Sequence, residues 1–221
     1  MRHGQPGWAD GGTPQMDPAL TEVGKQQAEL VAKRIAERGA DEIVSSPAKR
    51  ALATAAPLAT LLGKQPTVVD DLLELKLPDW SHLSLLEVAQ AFRAAREREP
   101  EAWWQGMPGG ENFRVFIERV QGAMRGLLAE RGIHWAPAGE APIFKHERDI
   151  GRIVIFGHGG TNSVATTVLL GLPSVPWEWE RFTLCHTGVI RLKAIPLGGG
   201  FIFSMRSFND CEHLPKPLRT I

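Results

Sequence analysis

The sequence predicts an α/β fold, a three-layer α/β/α sandwich around a mainly parallel central sheet. Three observations carry that expectation. Strand-like and helix-like segments alternate along the chain, the strongest strand signal runs into a helix through a glycine-rich turn, and 221 residues are enough for one substantial core.

The elements follow in order. Residues 21–38, 47–62, 85–99, 113–131 and 161–170 carry apolar side chains at helical spacing and are expected to be helices. The clearest strand is 152–157, a short β-branched run closed by glycine, which reads as fully buried. Residues 42–44 and 67–69 are weaker strands, and 189–195 with 201–208, separated by Pro196 and three glycines, read as a hairpin. Nothing repeats and no linker divides the chain, so residues 1–221 are expected to be a single domain, with a cap insertion at about 78–112. A second stretch, 134–151, is rich in Pro, Gly and charge; it leads into the start of a strand and is expected at the sheet end away from any site, in a structural or oligomeric role.

Composition excludes several functions. The chain has 25 Lys+Arg against 25 Asp+Glu, so there is no whole-molecule field for nucleic acid or anionic lipid. Cys185 and Cys211 are too few for a disulfide framework and lie far from any metal-ligand spacing, so a reducing, cytoplasmic setting is expected. No apolar run reaches bilayer-crossing length, and residues near Met1 lack the pattern of a secretory signal.

Four segments carry residue types suited to a phosphoryl group. In Arg2-His3-Gly4, arginine offers a bidentate fork for phosphate oxygens, a neutral imidazole is a competent nucleophile, and Gly4 lets the backbone approach an anion. In Ser45-Ser46-Pro47-Ala48-Lys49-Arg50, Ser46 suits an N-cap and Pro47 a first helical position, which puts Arg50 one turn into a helix and within reach of the strand end. In Gly157-His158-Gly159-Gly160-Thr161, a histidine sits where a helix begins, and the free N–H groups around Gly159 suit an anion. In Leu72-Leu73-Glu74, a carboxyl group beside a bound phosphate can protonate a leaving oxygen, although spacing alone does not choose Glu74 over Asp70, Asp71 or Asp79. Each segment also has a plain structural reading, as an exposed arginine, a turn histidine or a solvated carboxylate.

Together the segments resemble the histidine phosphatase superfamily, the fold of cofactor-dependent phosphoglycerate mutases and many small phosphatases. The resemblance covers nearly the whole chain: Arg2-His3-Gly4, then the 17–28 run, Ser46-Pro47 with Arg50 and Thr54-Ala55, Leu73-Glu74 with Asp79-Trp80, Gly109-Gly110-Glu111-Asn112-Phe113, and Gly157-His158-Gly159-Gly160. It implies that His3 attacks phosphorus and becomes a phosphohistidine, that Arg2, Arg50 and His158 hold the phosphoryl oxygens, and that Glu74 protonates the leaving alkoxide and then helps water attack. It implies no cofactor and no metal. The expected partner is a small phosphorylated metabolite, with a homodimer left open.

Several positions depart from the family. The buried strand that usually precedes the Arg-His-Gly triplet is represented only by Met1, so either the start lies too far downstream or the sheet is completed otherwise; the first is the expectation, since a free chain end holds a catalytic pair poorly. Ala9, Pro78, Ser81-His82, Asn112 and Ser163 replace common family residues, and argue mildly against a bisphosphate-dependent mutase. The resulting expectation is a metal-independent phosphomonoesterase. The alternatives are a phosphomutase, or a phosphate-binding regulatory module without turnover. The 78–110 stretch, with Trp80, His82, Phe92, Arg93, Arg96, Trp103 and Trp104, is the expected source of leaving-group selectivity.

Overall fold

The computed structural model describes residues 1–8, 14–138, 141–147 and 151–221. Seven strands and six helices occur in these residues, in the order α1 (Glu22–Arg38), β1 (Glu42–Ser45), α2 (Lys49–Leu62), β2 (Thr67–Val68), α3 (Leu85–Arg96), α4 (Phe113–Ala129), β3 (Ile133–Ala138), β4 (Ala141–His146), β5 (Ile153–Phe156), α5 (Gly159–Leu170), α6 (Glu178–Arg181), β6 (Val189–Leu197) and β7 (Gly200–Asp210).

The strands form two sheets. One has the order β2-β1-β5 and is parallel throughout, with Ile43 opposite Val154 and Val44 opposite Ile155. The other has the order β3-β4-β7-β6 and is antiparallel. The parallel sheet and the β6–β7 hairpin follow the sequence reading. The 134–151 stretch, expected in a structural or oligomeric role with no strand assigned, forms over most of its described residues a hairpin that extends the antiparallel sheet. Its signal is long-range: Phe144 stacks on Phe201 at 5.6 Å between ring centroids and meets Trp135 and Phe203 edge-on or tilted, so aromatic burial overrides the turn-like composition. Residues 148–150 of that stretch lie outside the described residues.

Strand alternation sorts the core into two layers. Ile43, Val154 and Phe156 pack with Val31, Ala55 and Leu58 of α1 and α2, whereas Val44, Ile153 and Ile155 face Phe116, Val120 and Val164 of α4 and α5. Helix starts are set by side chains: Thr21 accepts from the Gly24 N–H, Ser84 and Glu87 form a capping box, and Asn112 accepts from the Arg114 N–H. Among the described residues, no helix is long and apolar enough to cross a membrane.

Between the two sheets runs Met1–His3. The His3 N–H donates to Gly157 O and the Gly157 N–H to Met1 O; the Arg2 N–H donates to Gly188 O and the Thr187 N–H to His3 O. These bonds hold His3 on both sides, so this short segment is fixed more firmly than a free chain end would be. Behind it the sheets stay apart. A cavity of about 1560 Å³ separates β5 from β6, and Ile153, Val154 and Ile155, expected to be fully buried, are only half-buried beside it.

Candidate active site

The site forms where β1 and β5 end side by side: the Ser46 N–H donates to Phe156 O, and each chain then turns into a helix. Such carboxyl ends are the usual ligand side of an open α/β sheet. His3 is only 3% exposed. Its Nδ1–H donates to Gly4 O at 2.8 Å, which leaves the lone pair on Nε2, and Arg50 Nε donates to that nitrogen at 3.3 Å. Burial first, then the electrostatic coupling to His158 and the charge of Arg50, holds the His3 pKa well below the ordinary 6.5. The imidazole is therefore neutral and nucleophilic at any physiological pH.

The surrounding backbone is built to that ring. The Gly4 N–H donates to Thr54 Oγ1 at 2.9 Å, and Thr54 Oγ1 donates to Arg50 O at 2.6 Å, so one threonine ties the His3 loop to the Arg50 helix. A side chain at Gly4 would put its Cβ 2.6 Å from Gly24 O; glycine is required there by close approach. Arg50 also donates to Asp17 Oδ1 at 3.2 Å and lies over the Trp8 ring at 4.9 Å. Arg2 donates through Nη1 to Leu184 O. Burial lowers the pKa of both guanidiniums and the nearby Glu74 carboxylate opposes it, so both stay charged.

His158 is 1% exposed, and its ring stands edge-on to His3 with 5.2 Å between centroids. Its Nε2 lies 2.8 Å from Ser46 Oγ, while Nδ1 has no hydrogen-bond partner among the described residues. Burial, then Arg50 and Arg2, keeps this histidine neutral as well.

The choice among four carboxylates resolves to one. Asp70, Asp71 and Asp79 are exposed, whereas Glu74 accepts from the Gly160 N–H at 2.8 Å and the Thr161 N–H at 3.1 Å, the second and third N–H groups of α5. Arg119 holds this segment by donating to Leu73 O at 3.0 Å and pairing with Glu111 at 2.8 Å. Glu111 in turn accepts from the Lys76 N–H. The Gly109–Phe113 motif thus acts on Glu74 through Arg119, a partnership that only the fold reveals.

Some expectations need correction. Ser46 does not cap α2, which starts at Lys49 after Ala48, because its hydroxyl is taken up by His158. Pro47 likewise precedes the helix. Gly159 has ordinary clearance, with Glu74 at 3.9 Å from an added Cβ, whereas Gly160 has none, with Glu74 Oε1 at 2.6 Å. Ala9 lies outside the described residues. Within 78–110, Trp80 packs edge-on against Phe92, Trp103 against Trp177, Trp104 lies under Arg114, and Arg96 pairs with Glu180.

Asp17, Arg119 and His186 escaped the sequence reading. His186 is buried 5.8 Å from His3, centroid to centroid, with its Nδ1 2.8 Å from Thr220 Oγ1 and Nε2 unpartnered among the described residues. Burial pushes its pKa down to about 3. Nothing in the local spacing of Leu184-Cys185-His186-Thr187 marks it.

Comparison with known proteins agrees with this geometry. Residues 1–200 match the sequence profile of the histidine phosphatase superfamily (branch 1). The chain is 33% identical over 181 residues to a glucosyl-3-phosphoglycerate phosphatase of Mycolicibacterium vanbaalenii, covering 80% of this chain and 75% of that one. It is 31% identical over 141 residues to phosphoserine phosphatase 1 of Hydrogenobacter thermophilus, covering 61% and 64%. Its fold is similar to a mycobacterial glucosyl-3-phosphoglycerate phosphatase solved with VO3, with a TM-score of 0.70 and 26% identity over 94% of this chain and 96% of that one.

Proposed function

Because the chain belongs to the histidine phosphatase superfamily, we propose that it is a phosphatase hydrolysing a small phosphomonoester through a phosphohistidine on His3. One observation carries the reading: a buried, neutral imidazole whose lone pair is committed to Nε2 by the Nδ1–Gly4 bond and faces the Arg50 guanidinium.

The chemistry divides among the residues. His3 Nε2 attacks phosphorus as the phosphorus–oxygen ester bond breaks, and Arg2, Arg50 and His158 hold the phosphoryl oxygens. Arg50 gives up its bond to Nε2 in favour of phosphate, a stronger acceptor. Glu74, in its acid form, protonates the departing alkoxide; as a carboxylate it then takes a proton from the water that attacks the phosphohistidine, releasing inorganic phosphate and free His3. Positioning and charge stabilisation are what phosphoryl transfer chiefly needs. In this reading residues 78–112 form a cap within a single cytoplasmic domain, and its tryptophans and arginines select the alcohol portion. The names of the relatives make phosphorylated small acids the first substrates to screen.

The test is a rapid-quench reaction with para-nitrophenyl phosphate, followed by intact mass. An acid-labile, base-stable phosphoenzyme in the wild type and none in His3→Ala supports the reading. Phosphoenzyme surviving in His3→Ala, or turnover without it, overturns it.

A further inference from the structure

The proposed chemistry leaves both cysteines unused, and the fold brings them to one side chain. Cys185 lies in the turn that leads into β6, and Cys211 follows the last residue of β7. Asn209 bridges them: its Nδ2–H donates to Cys185 Sγ at 3.4 Å, and the Cys211 S–H donates to its Oδ1 at 3.5 Å. The same Oδ1 accepts from the Cys185 N–H at 2.8 Å, which fixes the end of the amide that carries oxygen. Both sulfurs are free thiols.

The turn that carries Cys185 also carries the site. The Gly188 N–H donates to Cys185 O at 2.9 Å and closes the turn. Asn209 packs into it so closely that a Cβ at Gly188 would lie 2.4 Å from Asn209 Oδ1. From this turn Leu184 O accepts from Arg2 Nη1, Gly188 O accepts from the Arg2 N–H, and the Thr187 N–H donates to His3 O. Asn209 therefore steadies, through one turn, the segment that presents both Arg2 and His3.

We propose that Cys185 and Cys211 form a redox switch, a dithiol that hydrogen peroxide closes to an intramolecular disulfide, and that this closure loosens the Arg2–His3 site. The effect on the site rests on the phosphatase reading; the bond itself does not. Cys185 is half-buried and within electrostatic reach of the Arg2 guanidinium, whereas Cys211 is 8% exposed, so the first attack falls to Cys185. Its sulfur bonds to one peroxide oxygen as the O–O bond breaks. The other oxygen leaves with the thiol proton as water, and Cys185 becomes a sulfenic acid. Cys211 Sγ then attacks that sulfur, the S–O bond breaks, and hydroxide departs with the Cys211 proton as a second water. Burial first, then Cys185, pushes the Cys211 thiol up to about 12; the charge of Cys185 drops out of that sum once its sulfur is a neutral sulfenic acid.

The disulfide undoes the Asn209 bridge. It removes the proton that Cys211 gives to Oδ1 and draws the two sulfurs to about 2 Å. Asn209 Oδ1 is left against a sulfur without a proton, and a cavity of about 510 Å³ lined by Asn209 and Cys211 gives the amide room to turn out. The turn then loses its clamp, and Arg2 and His3 lose their alignment.

The experiment treats the reduced chain with hydrogen peroxide and reads intact mass, free thiols and affinity for inorganic phosphate. Expected are a mass lower by about 2 Da, no free thiol, a Cys185–Cys211 cross-linked peptide and phosphate binding weaker by at least about 10-fold, all reversed by dithiothreitol. Cys211→Ser is expected to bind phosphate like the wild type when reduced, and to gain oxygen at Cys185 without a cross-link. An unchanged mass, added oxygen with no cross-link in the wild type, a cross-link only between two copies, or a cross-link that leaves phosphate affinity unchanged overturns the proposal. A reduced chain that neither binds phosphate nor turns over para-nitrophenyl phosphate fails the phosphatase reading instead, and the cross-linked mass still decides the bond.

Discussion

Ser46 Oγ and His158 Nε2 lie 2.8 Å apart, and this contact joins the turn after β1 to the turn after β5. It fixes the plane of a ring that stands edge-on to His3. The hydroxyl does this instead of capping α2, so its removal acts on the ring and not on the helix. Ser46→Ala is expected to lower kcat by roughly 10-fold while moving the Tm by less than about 3 °C. A Tm loss large enough to account for the activity loss would contradict this division.

In the proposed mechanism Glu74 serves the leaving group, so its importance scales with how badly that group needs a proton. Glu74→Gln is expected to cost on the order of 10²–10⁴-fold with alkyl phosphates. The loss with para-nitrophenyl phosphate is expected to be much smaller in the first step, so that phosphoenzyme accumulates for want of a base. Equal losses with both substrates, measured by quench-flow, would remove Glu74 from the acid role.

Glycines at the start of α5 make a paired test. Gly160→Ala forces a Cβ to 2.6 Å from Glu74 Oε1, whereas Gly159→Ala meets Glu74 at an ordinary 3.9 Å. Activity is expected to fall at least about 10-fold in the first variant and within about twofold in the second, as a misplaced catalytic group costs rate steeply. Similar activities in the two would show that the Glu74 position does not matter.

Stability should depend on pH through buried neutral bases. His3 and His158 have folded pKa values well below 6.5, His186 falls to about 3, His213 to about 4, and the Met1 amine from 8.0 to about 5. Below their ordinary values the unfolded chain takes up protons that the folded chain refuses, so stability is full above those values and is lost as pH falls toward the folded ones. Each such group steepens the loss by about 1.4 kcal/mol per pH unit. The Tm is expected to drop steadily from pH 8 to pH 5, less steeply in His213→Gln. Over the same range the acid limb of kcat/KM is expected to fall below pH 6.5, since His3 stays unprotonated.

What the sequence reveals and what it hides divide along a physical line. The candidates Arg2, His3, Arg50 and His158 were legible from residue type and ordered motifs, whereas local spacing did not separate Glu74 from Asp70, Asp71 or Asp79 and only the family resemblance chose it. Local pattern likewise marks α1 to α5 and the strands of the parallel sheet. Asp17, Arg119 and His186 were not legible, because each acts through a partner remote in sequence: Arg50, Leu73 and Thr220. The β3–β4 hairpin was hidden for the same reason, its stability resting on Phe144 meeting Phe201.

The carboxyl-terminal segment has a practical meaning for anyone handling the protein. The His186 N–H donates to Thr220 O, its Nδ1 is 2.8 Å from Thr220 Oγ1, and Gln27 donates to both Leu218 O and Thr220 Oγ1 while accepting from the Gln5 N–H. Gln5 is two residues from His3. A protease nick or an affinity tag that pulls this tail from its seat would therefore register in the assay as a damaged active centre, with the remainder of the polypeptide still folded.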